Sequence, residues 1–204
     1  MDDDLLARIR RLYASIESLE ESNLDRLPAT RIQTEATIGF LQDFRGGMTD
    51  EELSNLIHSV VYNVANLRNH VKAWAKRTRG DASRVDELFS SSSSIRILAD
   101  LANNDRHPYP PRGGGHSGKA PRVSNLNRVL RLSTRPAVGS RVGITLGPDG
   151  SPRIVGDGTA QAVITADVVD RDGVRLGELS QFVAEAIEGW EQLFRAFGLS
   201  VDDS

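Results

Sequence analysis

The 204-residue chain contains no cysteine. That excludes a disulfide framework, a thiol nucleophile and every zinc or iron–sulfur site built on thiolates, so any metal would have to sit on His, Asp and Glu. Aromatic residues are scarce, at 5%, which leaves few rings on which nucleic-acid bases could stack. Lysine is nearly absent too: Lys72, Lys76 and Lys119 are the only three among 25 cations. The remainder is arginine, the side chain suited to bidentate phosphate contacts. No segment reaches 18 uninterrupted apolar residues, and the start Met1-Asp2-Asp3-Asp4 is acidic. These features predict a cytoplasmic chain with no signal peptide, no membrane span and no membrane partner. At 39% hydrophobic and 26% charged, the composition is that of a globular domain, alone or with a small appendage.

The charge is unevenly spread. Residues 68–148 carry 15 Lys plus Arg against 5 acids, whereas the segments on either side are acidic. Between Asp105 and Asp149 there is no acid at all. Such a basic middle can bind phosphate groups, or it can neutralise the chain's own acidic helices.

Hydrophobic spacing in the first half is helical. Leu5, Ile9, Leu12, Ile16 and Leu19 predict a helix over about residues 3–22. A second is expected from near Thr30 to Gly46-Gly47, burying Ile32, Ala36, Phe40 and Phe44. Thr49 with Glu52 forms a capping box. Behind it, Leu53, Ile57, Val60, Val64, Leu67, Val71 and Trp74 predict a long helix to about Arg79, the spine of a bundle or a homodimer contact. Two shorter helices follow. One starts near Ser83 with Val85, Leu88 and Phe89; the other is capped by Ser94 and stopped by His107-Pro108.

The Pro- and Gly-rich stretch 108–121 reads as a mobile loop. Beyond it the period switches to two. Segments 128–132, 141–146, 152–155, 162–169 and 173–176 read as strands of an antiparallel meander, with turns at Pro148-Asp149-Gly150 and Asp172-Gly173. Ser180 then caps a last helix burying Phe182, Val183, Ala186, Trp190, Leu193 and Phe197 and closed by Gly198, which should dock on the bundle or cover the sheet. The expected fold is α+β: a helical bundle of four or five helices over 1–107, the loop 108–121, then a small antiparallel β meander and a C-terminal helix over 122–204.

Gly113-x4-Gly118-Lys119 superficially matches a nucleotide-binding P-loop, but Ala120 replaces the Ser or Thr that holds magnesium and Pro121 follows where a helix is required. Nucleotide hydrolysis is therefore not expected. Two polar constellations remain. Asn63, Asn66 and His70 share a face beside the stripe of the long helix, and Asp100, Asn103, Asn104 and His107 share one on the later helix. A carboxylate a turn or two from an imidazole can orient and charge it for acid–base work near neutral pH. The same residues can equally satisfy buried backbone groups, and His107, in a last helical turn, also suits the helix dipole. Arg68, Lys72, Lys76 and Arg79 form a cationic stripe along the long helix, able to track a phosphate backbone or simply to face solvent. His58 and His116 look unexceptional.

The segment Leu98-Ala99-Asp100-Leu101-Ala102-Asn103-Asn104-Asp105-Arg106-His107, with Asn66-Leu67-Arg68-Asn69-His70 upstream, is similar to a pattern in uncharacterised bacterial helical-bundle proteins. It also distantly resembles the HEPN superfamily. That resemblance implies a helical, dimeric protein, and its members include metal-independent ribonucleases of defence and toxin–antitoxin systems alongside inactive relatives. Their active motif sets a His four to six residues beyond an Arg and a polar residue. Here Arg68 and Asn69 are followed by His70 at once, and His107 has no Arg at the required distance.

Two functions are carried forward. In the first, the chain is a non-catalytic interaction or assembly protein that contacts a protein partner through the loop or a sheet edge; the missing arginine spacing favours it. In the second, it binds or cleaves RNA without metal or other cofactor. His107 would then be the general acid or base, Asp100 its orienting partner, Asn104 and His70 would hold the phosphate, and Arg68, Lys72, Lys76 and Arg106 would bind the backbone.

Overall fold

The computed structural model describes residues 3–27, 29–35, 38–78, 80–104, 112–147 and 151–199. The fold is α+β, with five α-helices and antiparallel strands among the described residues. Helix α1 (Asp3–Glu17) ends earlier than its apolar spacing suggests, and the chain passes into the short strand β1 (Glu20–Glu21). Leu5, Ile9 and Leu12 are buried, as the stripe requires.

The largest departure from expectation follows. Where a helix was predicted, the chain forms a β-hairpin of β2 (Ala29–Gln33) and β3 (Ile38–Gln42), with Arg31 opposite Phe40 and Ile32 opposite Gly39. A spacing of four residues is also twice the strand period, so Ile32 and Phe40 fit either pattern. The β-branched Thr30, Ile32 and Ile38 tip the balance toward strand, because their χ1 freedom is restricted in a helix. Ile32, expected in the core, is half exposed. Ala36 lies outside the described residues.

Helix α2 (Asp50–Arg77) starts where the capping box predicts. The Glu52 amide donates to Thr49 Oγ1 at 3.2 Å, and the Thr49 amide donates to Glu52 Oε2 at 2.8 Å. Its 28 residues make a rod of about 42 Å. Leu53, Val60, Val64 and Val71 reach zero exposure because α1 and α4 (Ser93–Asn104) pack on this stripe. The stripe that suggested a dimer contact is thus covered by the same chain. Helix α3 (Ser83–Ser91) is separated from α4 by Ser92 alone. Ser92 rather than Ser94 caps α4, its Oγ accepting from the Ile95 amide at 3.2 Å. Ser94 is instead buried, with its hydroxyl donating to Glu185.

In the second half, β4 (Arg122–Ser133), β5 (Val142–Leu146), β6 (Pro152–Gly156), β7 (Thr159–Val169) and β8 (Arg175–Glu178) form at the expected places. They do not make an uninterrupted meander. β4 pairs along its length with β7, while β5 and β6 pair only with each other as a separate hairpin inserted between them. β1 and β8 flank the other edge of β7. The Asp172-Gly173 turn forms as predicted, with Gly173 at φ +84°; residues 148–150 are outside the described set. Helix α5 (Leu179–Ala196) packs both on α4 and on β7. Its cap is Glu178, one residue before the helix, without a side-chain bond, so Ser180 is not the cap.

Two cores result. The large one joins the helices to Ile164, Ala166 and Val168 of β7. The small one gathers Leu24, Leu27, Ala160 and Ala162, with Phe44, Leu130 and Ile144 half-buried around it.

Candidate functional site

Asp100 is 1% exposed, the only acid so deeply buried among the described residues. Its apolar neighbours on α4 face the core, which carries the carboxylate inward with them. The Gly-rich segment folds back over it. Oδ1 accepts from the His116 amide at 2.7 Å, and Oδ2 accepts from the Ser117 amide at 2.7 Å and the Ser117 hydroxyl at 2.6 Å. Gly115, at φ +78°, passes so close that a Cβ there would lie 2.5 Å from Oδ1. No side chain fits that approach. One turn along α4, Asn104 Nδ2 donates to the Pro121 carbonyl at 2.7 Å.

The predicted mobile loop is therefore pinned over its described part, 112–121. Consecutive backbone amides of the P-loop-like sequence do cradle an anion, as such turns can, and the anion is the chain's own Asp100. Both carboxylate oxygens are engaged by the loop, which gives Asp100 an anchoring role. Asn104 anchors the same segment through Pro121. His107, Asp105 and Arg106 lie outside the described residues.

His70 is turned elsewhere. It is half-buried, and burial, followed by the nearby Arg8 of α1, pushes its pKa below the ordinary value of 6.5. The structure thus gives Asp100 and His70 separate neighbourhoods, the loop for one and α1 for the other.

The cationic stripe is also engaged. Arg68 Nη2 lies 2.9 Å from Asp86 Oδ1, and Lys72 Nζ lies 2.5 Å from Asp86 Oδ2. The bonds from Lys72 and then Arg68 hold the Asp86 carboxyl below its usual range. Lys76 is exposed, and Arg79 lies outside the described residues. The Arg68 guanidinium sits 3.7 Å from the centre of the Phe89 ring, and His116 meets the same ring edge-on at 5.1 Å. An Arg–Phe–His stack therefore runs from α2 across α3 onto the pinned loop.

Sequence spacing missed this assembly. His116 looked unexceptional because its partner Phe89 is far away in the chain, and only the Asp100 anchor brings them together. Asp86 and Phe89, three apart on α3, shared a face in the sequence, but nothing marked the face as meeting Arg68 and Lys72. Among the described residues no group of three or more His, Cys, Asp or Glu is placed to hold a metal ion, and no helix is long and apolar enough to cross a membrane. No family model, curated protein or solved structure matches this chain, so the site is read from its own geometry.

Proposed function

We propose that the chain is a non-catalytic interaction protein that presents the pinned loop, with the Arg68–Phe89–His116 stack beside it, to a protein partner. The observation that carries this reading is the use of Asp100: a buried carboxylate committed through three hydrogen bonds to fixing a loop. Fixing an exposed loop in advance lowers the entropy lost on association. It leaves His116 exposed over the buried Phe89 ring and next to Arg68, and arginine is a residue type enriched where partners bind. The sharing of the Asp86 carboxylate by Arg68 and Lys72 weighs against RNA, since it offsets one of their two charges and ties both side chains down.

A photo-crosslinking residue placed at His116 tests the reading in cells of the source organism. The expected result is one discrete adduct, lost when Asp100→Ala frees the loop. Metal-independent cleavage of single-stranded RNA in EDTA, abolished by His107→Ala or His70→Ala, would overturn the proposal and restore the ribonuclease. An adduct at His116 that survives Asp100→Ala would separate partner binding from the anchor and equally count against it.

A further inference from the structure

The small core is not filled. Between the 3₁₀ turn Leu24–Arg26, the end of β3 and the β5–β6 hairpin lies a cleft of about 300 Å³, walled by Leu24, Leu27, Phe44, Leu130, Ile144 and Pro152. Gln42 is its one uncharged polar wall residue, and that side chain is already donating to the Leu27 carbonyl at 2.7 Å. The size and apolar lining are those of a small-ligand site.

Phe44 and Leu130 also belong to a second, open groove that contains Arg45, Asn127 and Arg128. The two depressions are therefore contiguous, one apolar and one cationic. Arg128 and Leu130 are two apart on β4, which puts them on one face of the strand. Of the charges at the groove, Arg45 is paired with Asp50 at 2.5 Å, and Asp43 accepts from the amides of Arg45 and Gly47. Arg128 differs. Its Nη1 donates to the Arg45 carbonyl at 3.2 Å and approaches Met48 Sδ at 3.6 Å, while among the described residues it makes no ion pair and its buried Nε finds no acceptor. Glu21 feels the Arg128 charge without pairing with it, and a half-buried guanidinium lacking a direct ion pair is costly to keep beside apolar walls.

We infer that the joined clefts bind a small amphipathic anion, a linear aliphatic carboxylate whose chain fills the apolar cleft and whose head pairs with Arg128. At about 30 Å³ per water-sized group, the cleft holds about ten non-hydrogen atoms, the size of octanoate. A carboxylate is the head that matches the flat fork of a guanidinium, and charge assistance makes such bonds stronger than neutral ones. The site lies on different elements from the pinned loop, so it stands or falls independently of the partner proposal.

Titration of the full chain with octanoate and with 1-octanol, followed by amide and arginine Nε–H resonances in NMR, tests it. Octanoate is expected to shift Phe44, Leu130, Ile144 and the Arg128 Nε–H, and to bind about tenfold tighter than 1-octanol. Arg128→Gln should erase that preference while leaving 1-octanol binding unchanged, which also shows that the cleft still folds. Leu146→Trp, at the half-exposed mouth, should weaken both ligands. Equal affinity for the two ligands, undiminished octanoate binding in Arg128→Gln, or shifts scattered away from the cleft, marking an adventitious additive only, would each overturn the inference.

Discussion

Apolar side chains of the helices end at or near zero exposure, Val60, Val71, Val85 and Leu98 among them, while those of the two isolated hairpins stay in solvent: Leu41 at 62%, Ile32 at 50% and Leu146 at 47%. The contrast comes from what each element meets. A helical stripe in this chain finds another stripe, α1 on α2, α2 on α4 and α4 on α5, and each contact closes the next. A two-stranded ribbon has only one flank and is marginal by itself. The β5–β6 hairpin leans on β4 and β7 along one side and leaves the small core open as a cleft. Closed packing serves stability, and the open end is where a ligand can enter.

The contrast can be broken most sharply by truncation. Leu98→Ala in the closed core should cost about 2–5 kcal/mol, since the surroundings cannot collapse on the void. Leu41→Ala on the hairpin should change stability by less than about 0.5 kcal/mol; urea unfolding of both variants measures the difference, and similar losses would mean that the hairpins are as integral as the helices. Asp100→Ala comes next, at about 1–3 kcal/mol, because two amides and a hydroxyl lose their acceptor. Amide hydrogen exchange should quicken at His116 and Ser117 and stay unchanged in β5–β6. Thr49→Ala, at the junction of the hairpin region with α2, removes half of the capping box and should cost about 1 kcal/mol.

The smallest effect is in the response to acid, where the two regions should yield in sequence. His70 has a lowered pKa in the folded state, so as pH falls below 6.5 the unfolded chain takes up the proton first. Helical stability therefore declines from that point until the folded value is passed, and His70→Gln removes the slope. Asp157, after β6, is held below its ordinary 3.8 by the Arg141 amide and then the Ser140 hydroxyl. Its contribution is present above 3.8 and is lost as pH falls through the folded value. Residue-resolved hydrogen exchange across an acid titration should show the α1–α2 contact loosening before the β5–β6 hairpin; the reverse order would refute the assignment.

Much of this architecture was legible from residue spacing. The capping box and seven-position stripe of α2, the division into two helices between Ser83 and Asn104, the strands of the second half and α5 all depend on local periodicity and local bonds. The misread hairpin at residues 29–42 shows the limit, since apolar residues four apart satisfy both periods and only β-branching distinguished them. For the site, the sequence marked Asp100 and Asn104 as a polar pair on one helical face, and that pair is indeed where α4 grips the loop. It could not say what they bind. The partner atoms are backbone amides and a carbonyl, which carry no residue-specific signal.

What the sequence alone determined is therefore the set of elements and their apolar faces, because helix and strand periods, caps and turns act over a few residues. Tertiary structure decided the rest: that β4 skips the inserted hairpin to pair with β7, that Asp100 holds the glycine loop, and that Arg128 stands beside an open apolar cleft without a direct ion pair among the described residues. Each depends on groups far apart in the chain, whose meeting is set by how the stripes pack and by which buried polar groups must be satisfied once they have.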